Sequence, residues 1–110
     1  MSYKIIPTEY FKQQVRRLQK SYPHIRNDLK GLSKILRQNH KAGRALGRGI
    51  YKIRLKSSDI PKGKRGGYRV ITYVVDEEQK IRLLTIYIKP KKTTITDDEI
   101  MRIVQKEGLI

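Results

Sequence analysis

The chain has 110 residues, no cysteine, a mean hydropathy of -0.65 and no apolar run near the roughly 18 residues of a membrane span. That excludes disulfides, thiolate metal sites and a cysteine nucleophile, and predicts one soluble domain over residues 1–110. Lys and Arg number 26 against 10 Asp and Glu, a net charge of +16, and self-repulsion of that size points to a polyanionic partner.

Met1 to Pro7 has no signal-peptide pattern, so the expected location is the cytoplasm, with no membrane partner. Residues 3–6 read as a short strand ended by Pro7. Thr8 is placed to cap a helix over about 9–20, with Phe11, Val15 and Leu18 on its apolar face. Tyr22-Pro23 interrupts it, and Pro23 suits the first turn of a second helix that runs to about Asn39. Ile25, Leu29, Leu32 and Leu36 line one face of that helix, so the pair reads as a helical hairpin.

Gly43, Gly47 and Gly49 then mark a loop. Residues 50–56 alternate: Tyr51, Ile53 and Leu55 face one way, Lys52, Arg54 and Lys56 the other. A second loop holds Pro61, Gly63, Gly66 and Gly67. Residues 68–75, rich in β-branched and aromatic side chains, read as a mostly buried strand, and residues 81–88 as another, joined by a turn at Asp76 to Lys80. Short links imply an antiparallel meander. Thr96-Asp97-Asp98-Glu99 is a capping box opening a last helix, with Ile100, Ile103 and Val104 on its apolar face and Gly108 at its end. The predicted order is β-α-α-β-β-β-α.

The charge is segregated. From Lys41 to Val75 there are ten basic residues and one acid, Asp59. Lys52, Arg54 and Lys56 project from one strand face about 6–7 Å apart, close to the spacing of phosphates along a nucleic-acid strand. The plainer reading is a solvated edge strand protected by its lysines. Arg69 opens the next strand, where its guanidinium is expected to lie beside Lys52 and Arg54 and to clamp a phosphate at two points. Otherwise it forms a structural ion pair, for which Asp59 is the one nearby acid. The loop Lys62-Gly63-Lys64-Arg65-Gly66-Gly67 is basic but lacks the Walker pattern, so it reads as an RNA-gripping loop through Lys62, Lys64 and Arg65. Lys89, Lys91 and Lys92 are expected to border the same surface.

His24 and His40 lie near the second helix with no metal-ligand or triad partner close in sequence, and read as surface histidines. The few carboxylates fall at turns and caps, which disfavours a two-metal nuclease. No metal and no other cofactor is expected. RNA cleavage by such a set uses the ribose 2′-hydroxyl as nucleophile, with lysines and arginines orienting the phosphate. Clustered like charges lower the proton affinity a lysine needs to shed if it is to act as a base.

The segments Gly49-Ile-Tyr-Lys-Ile-Arg-Leu-Lys56, Lys62-Gly-Lys-Arg-Gly-Gly-Tyr-Arg-Val-Ile-Thr-Tyr73 and Leu83-Leu-Thr-Ile-Tyr-Ile-Lys89 resemble the RelE/HigB branch of bacterial toxins from type II toxin–antitoxin systems. The likeness is dense over residues 43–92. It implies an α+β domain in which the helical hairpin packs on a small curved antiparallel sheet whose concave face holds the active site. It further implies a ribosome-dependent mRNA interferase, an endoribonuclease acting on mRNA at the 70S ribosome and held in check by a cognate antitoxin protein. The family's functional basic residues match Lys52, Arg54 and Arg69, expected as the catalytic set; the charge pattern adds Lys56, Lys62, Lys64, Arg65, Lys89, Lys91 and Lys92 as expected RNA contacts. The pattern departs after the last strand: Lys89 is followed by Pro90 where RelE has an arginine, and RelE's later tyrosine falls near Thr96. Two alternatives stay open. One is a ParE-like gyrase inhibitor, which has no need of a phosphate-binding cluster; the other is an RNA- or ribosome-binding module without catalysis, which the tyrosine's absence favours.

Overall fold

The structure is a computed structural model, and it describes residues 3–61, 66–89, 91–92 and 94–110. The first strand is β1 (Lys4–Pro7). Helix α1 (Glu9–Gln19) follows, and the Thr8 hydroxyl accepts a hydrogen bond from the Phe11 amide at 3.1 Å, the predicted cap. The same hydroxyl donates to the Leu83 carbonyl at 2.9 Å, so the cap also ties the helix to a later strand. Helix α2 spans Ile25–Gln38. Pro23 lies in the turn ahead of it rather than in its first turn. The His24 backbone N–H donates to Asp59 Oδ2 at 2.9 Å and fixes where the helix begins.

The chain then forms β2 (Arg44–Gly47), β3 (Ile50–Leu55), β4 (Gly67–Val75), a single 3-10 turn at Asp76–Glu78, β5 (Lys80–Lys89) and α3 (Asp97–Lys106). Strand β2 is a correction to the predicted order, which made these residues a loop. Its glycine-flanked residues pair antiparallel with β3, Arg44 opposite Lys52 and Ala45 opposite Tyr51. The sheet order is β1-β5-β4-β3-β2. A second correction concerns direction. Strands β3 to β5 are the expected antiparallel meander and β2 extends it, but β1 runs parallel to β5, so the sheet is mixed.

The strands separate two apolar clusters. On one face the hairpin buries Phe11, Val15, Ile25, Leu32 and Leu36 against Ile53, Leu55, Val70 and Ile86. On the other, Ile100, Ile103 and Val104 of α3 pack on Ile50, Ile71, Leu84 and Tyr87. Each such side chain, fully buried, contributes roughly 1.5–3 kcal/mol of transfer free energy. Strand β4 is covered on both faces, which is why its sequence is apolar without clean alternation. The capping box of α3 is formed in full, with Thr96 Oγ1 accepting from the Glu99 amide at 3.2 Å and Glu99 Oε1 accepting from the Thr96 amide at 3.2 Å. The last helix is also held at its far end, where Glu107 accepts from the Glu9 amide at 2.7 Å. No helix among the described residues is long and apolar enough to cross a membrane.

Candidate nucleic-acid interface

The face of the sheet on which α3 packs also carries the cations singled out in the sequence. Pairing in β3 and β4 puts Arg54 directly opposite Arg69, and pairing in β4 and β5 puts Arg69 opposite Tyr87. Directly opposed residues share a sheet face, with Cα atoms about 4.5–5.5 Å apart. A transverse row, Arg54–Arg69–Tyr87, therefore crosses three strands. Two residues along, Arg44 of β2 faces Lys52 of β3, which faces Ile71. At the other side of the row, Lys89 pairs with Gly67. The result is a patch of Arg44, Lys52, Arg54, Arg69 and Lys89 on one face.

The entry to β4 is built for close approach. Gly66 and Gly67 have φ of 127° and 115°, a region L side chains rarely adopt. A Cβ on Gly66 would lie 2.7 Å from the Lys89 carbonyl oxygen, and one on Gly67 would lie 3.0 Å from that of Leu55. The two glycines let the chain enter β4 close against the ends of β3 and β5, two residues ahead of Arg69.

Arg69 is only 8% exposed, whereas Arg54 and Arg44 are exposed and Lys52 and Lys89 half-buried. One Arg69 Nη1–H donates to the Tyr68 carbonyl at 3.2 Å, which orients the guanidinium without neutralising it. Like charges in direct register destabilise a sheet, and among the described residues none of these five cations has an ion-pair partner. Asp59, the one acid foreseen as a partner for Arg69, is engaged elsewhere. Its Oδ1 lies 2.6 Å from His24 Nδ1, and that bond holds its carboxyl below the ordinary range and raises the His24 imidazole. The arginines thus present unneutralised charge on a packed scaffold, and neither forms a structural salt bridge among the described residues.

Of the remaining predicted contacts, Lys56 follows the end of β3 and is exposed, and Lys91 is exposed in the turn after β5. Lys92 is committed to α3. Its Nζ donates to Glu99 Oε2 at 2.7 Å, a bond that lowers the Glu99 carboxyl and reinforces the helix start. Lys62, Lys64 and Arg65 lie outside the described residues. Both histidines are near the surface, as expected, but each has a carboxylate partner from a distant part of the chain. His24 has Asp59; His40 lies 3.7 Å from Asp76 and stacks on Tyr3 with ring centroids 3.9 Å apart. These contacts tie loops to the framework.

Two residues of the face escaped the sequence reading. Arg44 reads from the sequence as a basic loop residue, and only its pairing to Lys52 sets it on the sheet. Tyr87 was placed in its strand without a role. It is 6% exposed, adjoins Arg69 across the ladder, and its hydroxyl is buried with no hydrogen-bond partner among the described residues. Burial pushes that hydroxyl's pKa up, and the charges of Arg69 and Lys92 pull it back. The alternation of β5 was the available signal, but it needs the register with β4 before it names a neighbour. Thr96, where the sequence pattern of RelE would put a tyrosine, is occupied as the cap of α3.

No protein-family model matches the chain. Solved structures do. A free E. coli toxin RelE mutant superposes with a TM-score of 0.61 at 21% identity, over 96% of this chain and 97% of that one. The same mutant in complex with a RelB antitoxin peptide gives 0.57 at 22% identity, over 98% and 95%. The intact E. coli RelBE toxin–antitoxin complex gives 0.54 at 23% identity, over 77% and 94%. The chain has the RelE fold.

Proposed function

We propose that this RelE-fold chain is the toxin of a type II toxin–antitoxin pair, an endoribonuclease that cleaves translated mRNA on the 70S ribosome and thereby stops translation. The observation that carries the reading is the Arg54–Arg69 pair, two cations in direct register with no carboxylate partner among the described residues. Such a pair costs the sheet stability, and an anion bound between the two cations offsets that cost. Its RelE neighbours include complexes with the RelB antitoxin, which supports a cognate antitoxin as the protein partner here.

In this reading Arg54 and Arg69 hold the non-bridging oxygens of one phosphate and stabilise the charge that develops on them. The preceding ribose supplies the nucleophile. Its 2′-oxygen bonds to phosphorus as its proton passes to solvent, the phosphorus–O5′ bond breaks, and O5′ takes a proton from Lys52, the neighbouring ammonium on the same face. The products are a 2′,3′-cyclic phosphate and a 5′-hydroxyl. Because Arg69 is packed into the sheet, little reorganisation is needed when the charge appears. Arg44, Lys56, Lys89 and Lys91 extend the track for the flanking phosphates, joined by Lys62, Lys64 and Arg65 of the basic loop and by Lys92 at its border.

The test is a pulse of inducible expression in a bacterial host, with primer extension on a translated message, comparing wild type with Lys52→Ala and Arg69→Ala. Growth arrest with new codon-phased 5′ ends, lost in both variants, supports the reading. Arrest without new ends reassigns the protein to a binding-only or gyrase-directed toxin.

A further inference from the structure

Helices α1 and α3 border a cleft of about 260 Å³ over β5, beside the cationic row. Thr85 and Tyr87, two residues apart on the strand, line it together with the apolar Ile95 and Ile103. Tyr10 and Gln14, one turn apart on α1, line it from one side, and Glu99, Arg102 and Lys106 of α3 from the other. The Glu9 amide, next to Tyr10, donates to the Glu107 carboxylate, next to Lys106, at 2.7 Å and ties the two helices to each other.

Two polar atoms of this lining are buried with no hydrogen-bond partner among the described residues, the Tyr87 hydroxyl and Gln14 Oε1. They come from different elements and share one cleft. Each lone group costs stability, and a ligand that carries a donor beside an acceptor satisfies both. The charge of the lining is one-sided. Lys92, Arg102 and Lys106 stand against one acid, Glu99, whose carboxylate already accepts from Lys92 Nζ at 2.7 Å. Arg102 and Lys106 are exposed, about 6 Å apart along the helix axis, and have no ion-pair partner among the described residues. The cleft therefore has a mainly apolar interior, two orphaned polar atoms within it and two free cations at its mouth, the make-up of a small-molecule site.

We infer that the cleft binds a single nucleotide, with its base beside Tyr10 and Tyr87 and its phosphate held at the mouth by Arg102 and Lys106. A nucleobase is a flat ring that packs against aromatic side chains and is read along its Watson–Crick edge. That edge sets a donor next to an acceptor. The Tyr87 O–H donates to the acceptor, and Gln14 Oε1 accepts from the donor. Arginine and lysine supply the charge for the phosphate. A peptide backbone finds no free strand edge here, because β5 already pairs with β1 on one side and β4 on the other. A metal ion finds no cluster of ligands among the described residues. The site needs neither the Arg54–Arg69 pair nor a scissile bond, so a chain that cuts no RNA still has it. Tyr87 ends the cationic row, so the nucleotide has two sources of one chemistry: a free mononucleotide, or an unpaired strand on the row that turns a base into the cleft.

The experiment is an NMR titration of the full chain with three probes: the four nucleoside 5′-monophosphates, the same nucleosides without phosphate, and a single strand carrying 2′-O-methyl riboses so that it is not cut. The mouth variant is Arg102→Gln with Lys106→Gln; the interior variants are Tyr87→Phe and Gln14→Leu. Thermal melts check that all are folded. At least one monophosphate is expected to bind the wild type with a Kd below about 1 mM. The mouth variant should weaken that monophosphate about tenfold or more and the matching nucleoside by less than about twofold. Each interior variant should weaken both by about three- to tenfold. The strand then identifies the source. If the interior variants weaken it too, the nucleotide belongs to RNA; if it holds within about twofold, the cleft serves a free mononucleotide. Absence of monophosphate binding up to about 10 mM overturns the proposal, since water alone then meets the two buried atoms. Binding that survives the mouth variant but is lost in Arg54→Gln places the phosphate on the row and overturns it as well.

Discussion

Arg54 and Arg69 stand opposite each other in the β3–β4 ladder, one exposed and the other 8% exposed, with no carboxylate in ion-pair contact among the described residues. Stability and activity should pull apart at this pair. Arg54→Gln is expected to raise the unfolding free energy by about 0.2–1 kcal/mol, by relieving the repulsion. The same change should slow RNA cleavage on the order of 100-fold or more, by removing a donor aimed at the phosphate. Urea unfolding and primer extension on the same preparations check both signs. A variant less stable than wild type would show that Arg54 has a structural partner.

Arg44 belongs to the track through its pairing with Lys52. Single-strand binding should weaken steeply with salt, and Arg44→Gln should make the log–log slope shallower by about 0.7, one phosphate's worth. Fluorescence anisotropy with a non-cleavable strand measures it. A flat salt response in the wild type would mean that the face does not grip phosphates at all.

The His24–Asp59 bond anchors the segment after β3, and so the root of the basic loop, to the start of α2. Asp59 has a depressed pKa, so its contribution is present above the unfolded value of about 4 and is lost as pH falls through the lower folded one. His24 has a raised pKa, so its contribution is complete below the unfolded value of about 6.5 and is lost as pH rises through the higher folded one. The pair is therefore strongest between about pH 4 and 6.5 and fades above the raised His24 value. The melting temperature of wild type minus that of Asp59→Asn, followed from pH 4 to pH 9, should be largest in that window. A difference that grows toward pH 9 would contradict the bond.

The Tyr87 hydroxyl is buried without a hydrogen-bond partner among the described residues. A lone buried donor costs about 1–3 kcal/mol. Tyr87→Phe keeps the ring and removes that burden, so equilibrium unfolding should show stabilisation of about 1 kcal/mol. Destabilisation would reveal a partner, such as a bound water, and would redraw this corner of the face.

Local features were legible before the structure, and long-range ones were not. The Thr8 cap, the Thr96–Glu99 capping box and the alternation of Lys52 and Arg54 are written in residues within four positions of one another. Strand β2 was not, because four residues between glycines carry no period and become a strand only when β3 supplies a partner. The parallel pairing of β1 with β5 was hidden for the same reason, since Lys4 meets Lys80. The site was legible as a set of cations and not as a geometry. Sequence named Arg54 and Arg69, but the ladder made them opposed, added Tyr87 and Arg44, and assigned Lys92 to Glu99 and Asp59 to His24.

The parallel edge strand also sets the order in which the molecule becomes whole. Residues 4–7 are made before the other strands, but their backbone partners are residues 80–83. During synthesis the first strand must wait, unpaired, until most of the chain has followed it. The entropy of closing so long a loop, together with the slowness of distant strand pairing, makes this a late event in folding. Arg69 and Tyr87 come into register only when β5 exists. A chain in which β5 has not yet been made therefore holds neither a complete sheet nor an assembled cationic row.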